Sequence, residues 1–194
     1  MRPLPFVWPY ALIFWAVFIW AYWREFGIVG RASREQTASD SKSLQVILLG
    51  QSLAFFAAYP LAWVPALQFP LAYRFASFFI GIAMLIAGSL LRRHCFRMLG
   101  TSFTGDVRAS ADQQVVDRGA YRILRHPAYT AGIILNTGVG VGLGSWMAAL
   151  LLAVASTAVY IYRIAVEERT LLAVIGEPYR EFMKTRKRLI PFLY

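Results

Sequence analysis

Charge is scarce in this chain, and between Pro127 and Tyr162 it is missing altogether. Only 15% of the 194 residues are Asp, Glu, Lys or Arg, against 58% hydrophobic, and mean hydropathy is positive. That balance excludes an ordinary soluble domain and a disordered tail, and it reads as an integral membrane protein. Cysteine occurs once, at Cys95, which excludes disulfides within the chain and cysteine-based zinc sites. Cys95 reads as a buried apolar residue rather than a catalytic thiol. The two histidines, His94 and His126, have no partners at ligand spacing, so no metal is expected. No acid falls within the first three hydrophobic runs, which argues against an ion or proton pathway through them. Internal repeats and low-complexity tracts are also lacking.

What is present is a series of apolar runs: Val7–Trp23, Leu44–Leu67, Leu71–Leu91, about Tyr129–Leu143, and Trp146–Tyr162. The expected fold is all-α, a polytopic membrane bundle of about five transmembrane helices with a C-terminal helical hairpin and a cytosolic tail. The fourth run is short and glycine-rich, so four spans plus a re-entrant hairpin is the competing count. The first run is too long for the core of a signal peptide, and its Trp8, Trp15, Trp20 and Trp23 suit a retained span. With the N-terminus outside, 18 of the 20 basic residues fall on inner segments, leaving only Arg2 and Arg74 outside. This obeys the positive-inside rule. The net charge of +10 is then explained by topology and anionic membrane lipid, without nucleic acid.

The charge-free stretch carries the main geometric inference. As one straight helix it would run well beyond the roughly 30 Å of bilayer hydrocarbon. The chain is therefore expected to fold back near Gly144-Ser145. That returns Glu167-Glu168 to the face occupied by Arg125-His126-Pro127-Ala128-Tyr129. Pro127 suits the first position of a helix, and a helix N-terminus beside His, Arg and Tyr suits an anionic group. The bland readings are an interfacial Arg, a capping His, an anchoring Tyr, and an Arg163–Glu167 ion pair one turn apart. The glycines at 138, 140, 142 and 144 lack the preceding strand and following acid of a dinucleotide loop, and favour close helix packing. Arg92 to Gly100 reads as a basic amphipathic continuation that Gly100 caps. Beyond the final span, Glu167–Lys184 reads as a helix broken at Gly176 and Pro178.

Taken in order, several short motifs form a set. They are Leu99-Gly100, Val116-x-x-Gly119-x-Tyr121-Arg122, Arg125-His126-Pro127-x-Tyr129, Arg163-x-x-x-Glu167-Glu168-x-x-Leu171, Gly176-x-x-Tyr179 and Arg188-x-x-Pro191. The set resembles the isoprenylcysteine carboxyl methyltransferase family and its relatives, the phospholipid N-methyltransferases, over roughly residues 97 to 191. The resemblance implies S-adenosyl-L-methionine as cofactor, a lipidic or prenylated acceptor, and a cofactor site built by the fourth and fifth spans and the tail. It implies cofactor contacts from Gln113, Val115, Tyr121, His126, Tyr129, Glu167 and Glu168. Arg163 and Arg125 would bind an anionic acceptor or the cofactor carboxylate, and Glu168 or Glu167 the cofactor ammonium. Family members often carry His where Gln113 stands and Tyr where Phe182 stands.

The chain is accordingly expected to divide into a three-span scaffold, residues 1–91, and a catalytic region, residues 92–194. The expected activity is methylation of a carboxylate on a prenylcysteine-like acceptor, with the C-terminus and the cofactor site cytoplasmic. No base stands apart from the proposed binding residues, and a carboxylate acceptor needs none. The competing readings are N-methylation of phosphatidylethanolamine, thiol methylation, a fold-related reductase without a nicotinamide fingerprint, and a non-catalytic membrane scaffold.

Overall fold

Among the described residues three helices are long and apolar enough to cross a membrane, and the polar ends of the bundle follow from how they pair. The computed structural model describes residues 1–34, 43–100 and 115–190, the side chains at 24 and 26–34 excepted. The helices are α1 (Tyr10–Arg34), α2 (Ser43–Leu61), α3 (Arg74–Leu99), α4 (Pro127–Gly142), α5 (Trp146–Val174) and α6 (Glu177–Thr185). Among the described residues there are no strands, only isolated bridges at Gln68–Ser145 and Leu124–Lys187. The protein is thus an all-α, multi-pass membrane bundle.

Local chemistry sets the helix ends. The second span stops at Leu61 rather than Leu67, because Pro60 cannot extend the helical ladder and Pro65 opens a separate 3-10 turn. The third span and its basic continuation are one helix, and Gly100 ends it at φ 56°. Gly176, at φ 71°, separates α5 from α6 as the sequence predicts. The fourth helix has 16 residues, about 24 Å of rise, short of the hydrocarbon thickness. The fifth has 29, about 44 Å, so its last turns project beyond that thickness.

The hairpin turns at the expected place. Gly144 takes φ 79°, and Ser145 caps α5 by accepting the Ala148 N–H at 3.2 Å. The Ser145 hydroxyl also donates to Leu67 O at 2.7 Å, and Phe69 N–H to Gly144 O at 2.9 Å. These bonds pin the α2–α3 connection against the α4–α5 turn.

Small residues bring the backbones together. A Cβ built on Gly81 of α3 would lie 2.3 Å from the Gly142 nitrogen of α4. One on Gly140 would lie 2.3 Å from the Ala149 nitrogen of α5. The glycine stripe is therefore a packing surface for helix pairs, as its spacing predicts. Phe14, Phe78, Leu85, Leu135, Val139, Leu143 and Leu152 fill the core around it. A polar chain crosses this core. Tyr22 donates to Asn136 (2.6 Å), Asn136 to Ser156 (3.0 Å) and Ser156 to Gln51 (3.3 Å), tying α1, α4, α5 and α2.

Candidate active site

Pro127 begins α4, and its missing N–H costs nothing there because first-turn donors have no helical partner. His126, just before it, is buried at the same end of the bundle as the last turns of α5. Its Nε2 lies 3.2 Å from Glu168 Oε1. An ionised carboxylate only accepts, so Nε2 carries the proton in this contact. Arg188 donates to Glu168 Oε2 from Nη2 at 2.8 Å and from Nε at 3.1 Å. Arg125 Nε is 3.1 Å from Glu168 Oε1, as an ion pair whose N–H is not aligned for a hydrogen bond. Glu168 is 3% exposed and meets two guanidinium groups and an imidazole.

Glu167 has a different environment. One residue of helix sets the two carboxylates about 100° apart, and Glu167 faces α4. It accepts the Tyr129 hydroxyl at 2.7 Å and is half-buried. A carboxylate offers about four acceptor sites, so Glu167 keeps room for further donors. Tyr129 stacks on Tyr160 with ring centroids 4.9 Å apart, and on His126 at 5.7 Å. Arg163, also buried, neighbours the Tyr129 hydroxyl and donates to the Ser43 hydroxyl at the start of α2.

The C-terminal segment closes this end. Arg125 N–H bonds to Lys187 O at 2.7 Å, His126 N–H to Arg188 O at 3.1 Å, and the Thr130 hydroxyl to Leu189 O at 2.7 Å. Residues 187–189 thus lie as a strap along the entry to α4, and Arg186 pins their approach through Asp117 at 3.0 Å. Tyr179 is buried beneath the strap. Burial, then the carboxylate of Glu168, push its hydroxyl well above the ordinary tyrosine range. Tyr121 is likewise buried beside Cys95 and Ala128, and desolvation raises its hydroxyl too. Both phenols stay protonated at neutral pH.

The sequence-predicted residues therefore fall into groups. His126, Tyr129, Glu167, Glu168, Arg125 and Arg163 converge at one end of the bundle. Tyr121 packs nearby, and Val115 is half-buried just ahead of it. Gln113 lies outside the described residues. Arg125 is expected to meet an acceptor or a cofactor carboxylate, but here it faces Glu168 and donates to Met183 O at 3.1 Å. Sequence reasoning assigned no role to Arg188, which enters through the strap.

It also missed Arg92. That residue turns into the bundle, donating to Glu25 at 2.6 Å and to Ala128 O at 2.7 Å, with its guanidinium 4.8 Å from the Phe96 ring. The signal was in the spacing. Gly81, Leu85, Gly88 and Cys95 are the buried stripe of α3, and Arg92 falls on it at steps of three and four.

The phospholipid methyltransferase family matches residues 76–177, which run from α3 to the start of α6 and include every sequence-predicted site residue and Arg92, but not Glu25, Ser43, Tyr179 or the strap. This chain belongs to the phospholipid methyltransferase family. Among its relatives, protein-S-isoprenylcysteine O-methyltransferase B of Arabidopsis thaliana is 31% identical over 115 residues, 58% of each chain. A probable protein-S-isoprenylcysteine O-methyltransferase of Oryza sativa subsp. indica is 30% identical over 132 residues, 66% of this chain and 69% of that one. The fold is similar to a solved eukaryotic intramembrane Ras methyltransferase, isoprenylcysteine carboxyl methyltransferase. The TM-score is 0.64 at 26% identity, covering 73% of this chain and 52% of that one. As a phospholipid methyltransferase family member, the chain spans 58% of the length of the Arabidopsis relative it matches.

Proposed function

We propose that this protein is an integral-membrane, S-adenosylmethionine-dependent methyltransferase that methylates a carboxylate on a lipidic, prenylcysteine-like acceptor. The observation that carries the reading is the hairpin end where Tyr129–Glu167 lies beside the His126–Glu168–Arg188 cluster. Its relatives' names supply the reaction class.

The residues fit such a cofactor. Glu167 has acceptor capacity left for an ammonium or hydroxyl group, and Tyr129 orients that carboxylate. Tyr121 and Val115 offer apolar surface with a neutral hydroxyl, on the side where an adenine is expected. When bound, S-adenosylmethionine supplies an electrophilic methyl group on a sulfonium. The chain's part is to hold, orient and desolvate. Opposite charges approaching in a dry site attract more strongly than in water, so a carboxylate acceptor needs placement and no general base. Arg163, buried at this end, is the cation suited to steering an anionic head. Glu168 serves a supporting role in this reading, since its oxygens already meet two guanidinium groups and an imidazole. Residues 1–91 would then be chiefly scaffold, although Glu25 and Ser43 reach the site from that part.

Equilibrium binding of radiolabelled S-adenosylmethionine to purified protein tests the cofactor. Saturable binding is expected, and its absence sinks the proposal. The family's description favours one further reading, N-methylation of phosphatidylethanolamine. Activity on aminophospholipid with none on prenylcysteine analogues would replace the carboxylate reading with that one.

A further inference from the structure

We propose that the cleft between α1 and α3 binds one anionic phospholipid, with its phosphate on Arg93 and an acyl chain along α1. This goes beyond the chemistry at the Tyr129–Glu167 end and does not depend on it.

Adjacent arginines on α3 have opposite fates. Arg92 turns inward and is neutralised by Glu25 at 2.6 Å. Arg93, about 100° further round the helix, turns outward and pairs with no carboxylate among the described residues. It is nevertheless held in place. Its Nε donates to the Ser89 hydroxyl at 3.1 Å, its Nη2 donates to Trp20 O, and its guanidinium carbon sits 4.2 Å over the Trp20 ring. Three fixed contacts remove much of the rotamer freedom that an arginine otherwise loses on binding. Nη1 keeps its donors for an outside acceptor.

The surroundings select that acceptor. Arg93 lines an open groove of about 550 Å³ together with Ala16, Ile19, Trp20 and Trp23. Ala16, Ile19, Trp20 and Trp23 are all exposed on a helix that belongs to a membrane bundle, so lipid covers them. Trp23 is 73% exposed and Trp20 40%, the behaviour of rings at the level of the headgroups. A guanidinium at that depth without a carboxylate needs a counter-ion, and lipid phosphate is the anion present there. The planar fork of arginine matches phosphate oxygens in pairs. A lipid with net negative charge leaves that pairing uncompensated by a cationic headgroup, so it should be preferred over a zwitterion.

Native mass spectrometry of the purified protein, titrated with phosphatidylglycerol or phosphatidylcholine of identical chains, tests this. Wild type should retain one phosphatidylglycerol with an affinity roughly fivefold or more above phosphatidylcholine. Arg93→Gln should lose the preference, and Arg97→Gln, an exposed cation one turn further on, should keep it. Ala16→Trp, at an exposed position, should fill the groove and lower retention of both lipids. Equal retention of the two lipids by wild type overturns the proposal, as does an unchanged preference in Arg93→Gln or an equal loss in Arg97→Gln. If Arg93→Gln does not fold, undiminished phosphatidylglycerol retention by Ala16→Trp overturns it instead.

Discussion

Two neighbouring glutamates differ because one helical step carries them to different walls. Glu168 is buried among Arg125, His126 and Arg188, and Glu167 meets the Tyr129 hydroxyl. Neutralising them should therefore do different things. Glu168→Gln leaves buried cations without their anion, at a cost of about 3–5 kcal/mol, and should show as a clear drop in thermal midpoint. Glu167→Gln can still accept from Tyr129, so its midpoint should stay near wild type. Its cofactor binding should weaken by roughly tenfold or more, the loss of one charge-assisted hydrogen bond. Titrating both variants with labelled cofactor separates them. Equal effects on stability and binding would contradict the division of roles. That His126 and Tyr129 sit at the start of α4, at one end with the glutamates, was legible from Pro127 and the charge-free stretch. The choice between the two glutamates was not, because it depends on Arg188, twenty residues further along the chain.

At the scale of elements, close approach of backbones holds the hairpin. Gly140 touches α5 so closely that any side chain collides with the Ala149 backbone, which cannot swing aside. Gly140→Leu should prevent assembly, seen as loss of the monodisperse peak in size-exclusion chromatography. The strap makes a separate prediction. Ending the chain after Thr185 removes the backbone bonds to Arg125 and His126 and the Arg188–Glu168 pair. Helices α1 to α5 keep their own contacts, so far-UV circular dichroism should change little while cofactor binding falls sharply. Retained binding would show that the strap is dispensable. The hairpin turn and the glycine packing follow from local pattern. The strap does not, since residues 186–190 carry no periodic signal and are ordered by the partners they find at the entry to α4, on Asp117 and on Glu168 of α5.

For the whole molecule, one end gathers Met1, Arg2, Gln68 and Arg74, and the other gathers Glu25, Arg92, the Glu167–Glu168 end of α5 and the strap. Gln68 donates to Met1 O at 2.7 Å, and Arg74 to Arg2 O at 3.0 Å. By the positive-inside rule, the excess of basic residues at the second end predicts that it faces the cytoplasm. Cys95 is fully buried, which gives a quiet background for labelling. A cysteine at Tyr73, 60% exposed, should react with an impermeant thiol reagent added to intact cells, and one at Lys187 should react only after lysis. The reverse pattern would invert the proposed topology.

Hydropathy, the charge-free stretch and the motif order determined by themselves that this is a helical membrane protein whose polar clusters share one end. Those are one-dimensional properties, because bilayer thickness and helix rise convert residue counts directly into distance. Only the tertiary structure decided that Arg92 faces inward to Glu25 and Arg93 outward to the α1 groove, and that Arg188 neutralises Glu168 and leaves Glu167 available. Helical periodicity states which residues share a face. Which charges meet across sixty or more residues of chain, as Arg92 and Glu25 do, depends on packing that no local pattern encodes.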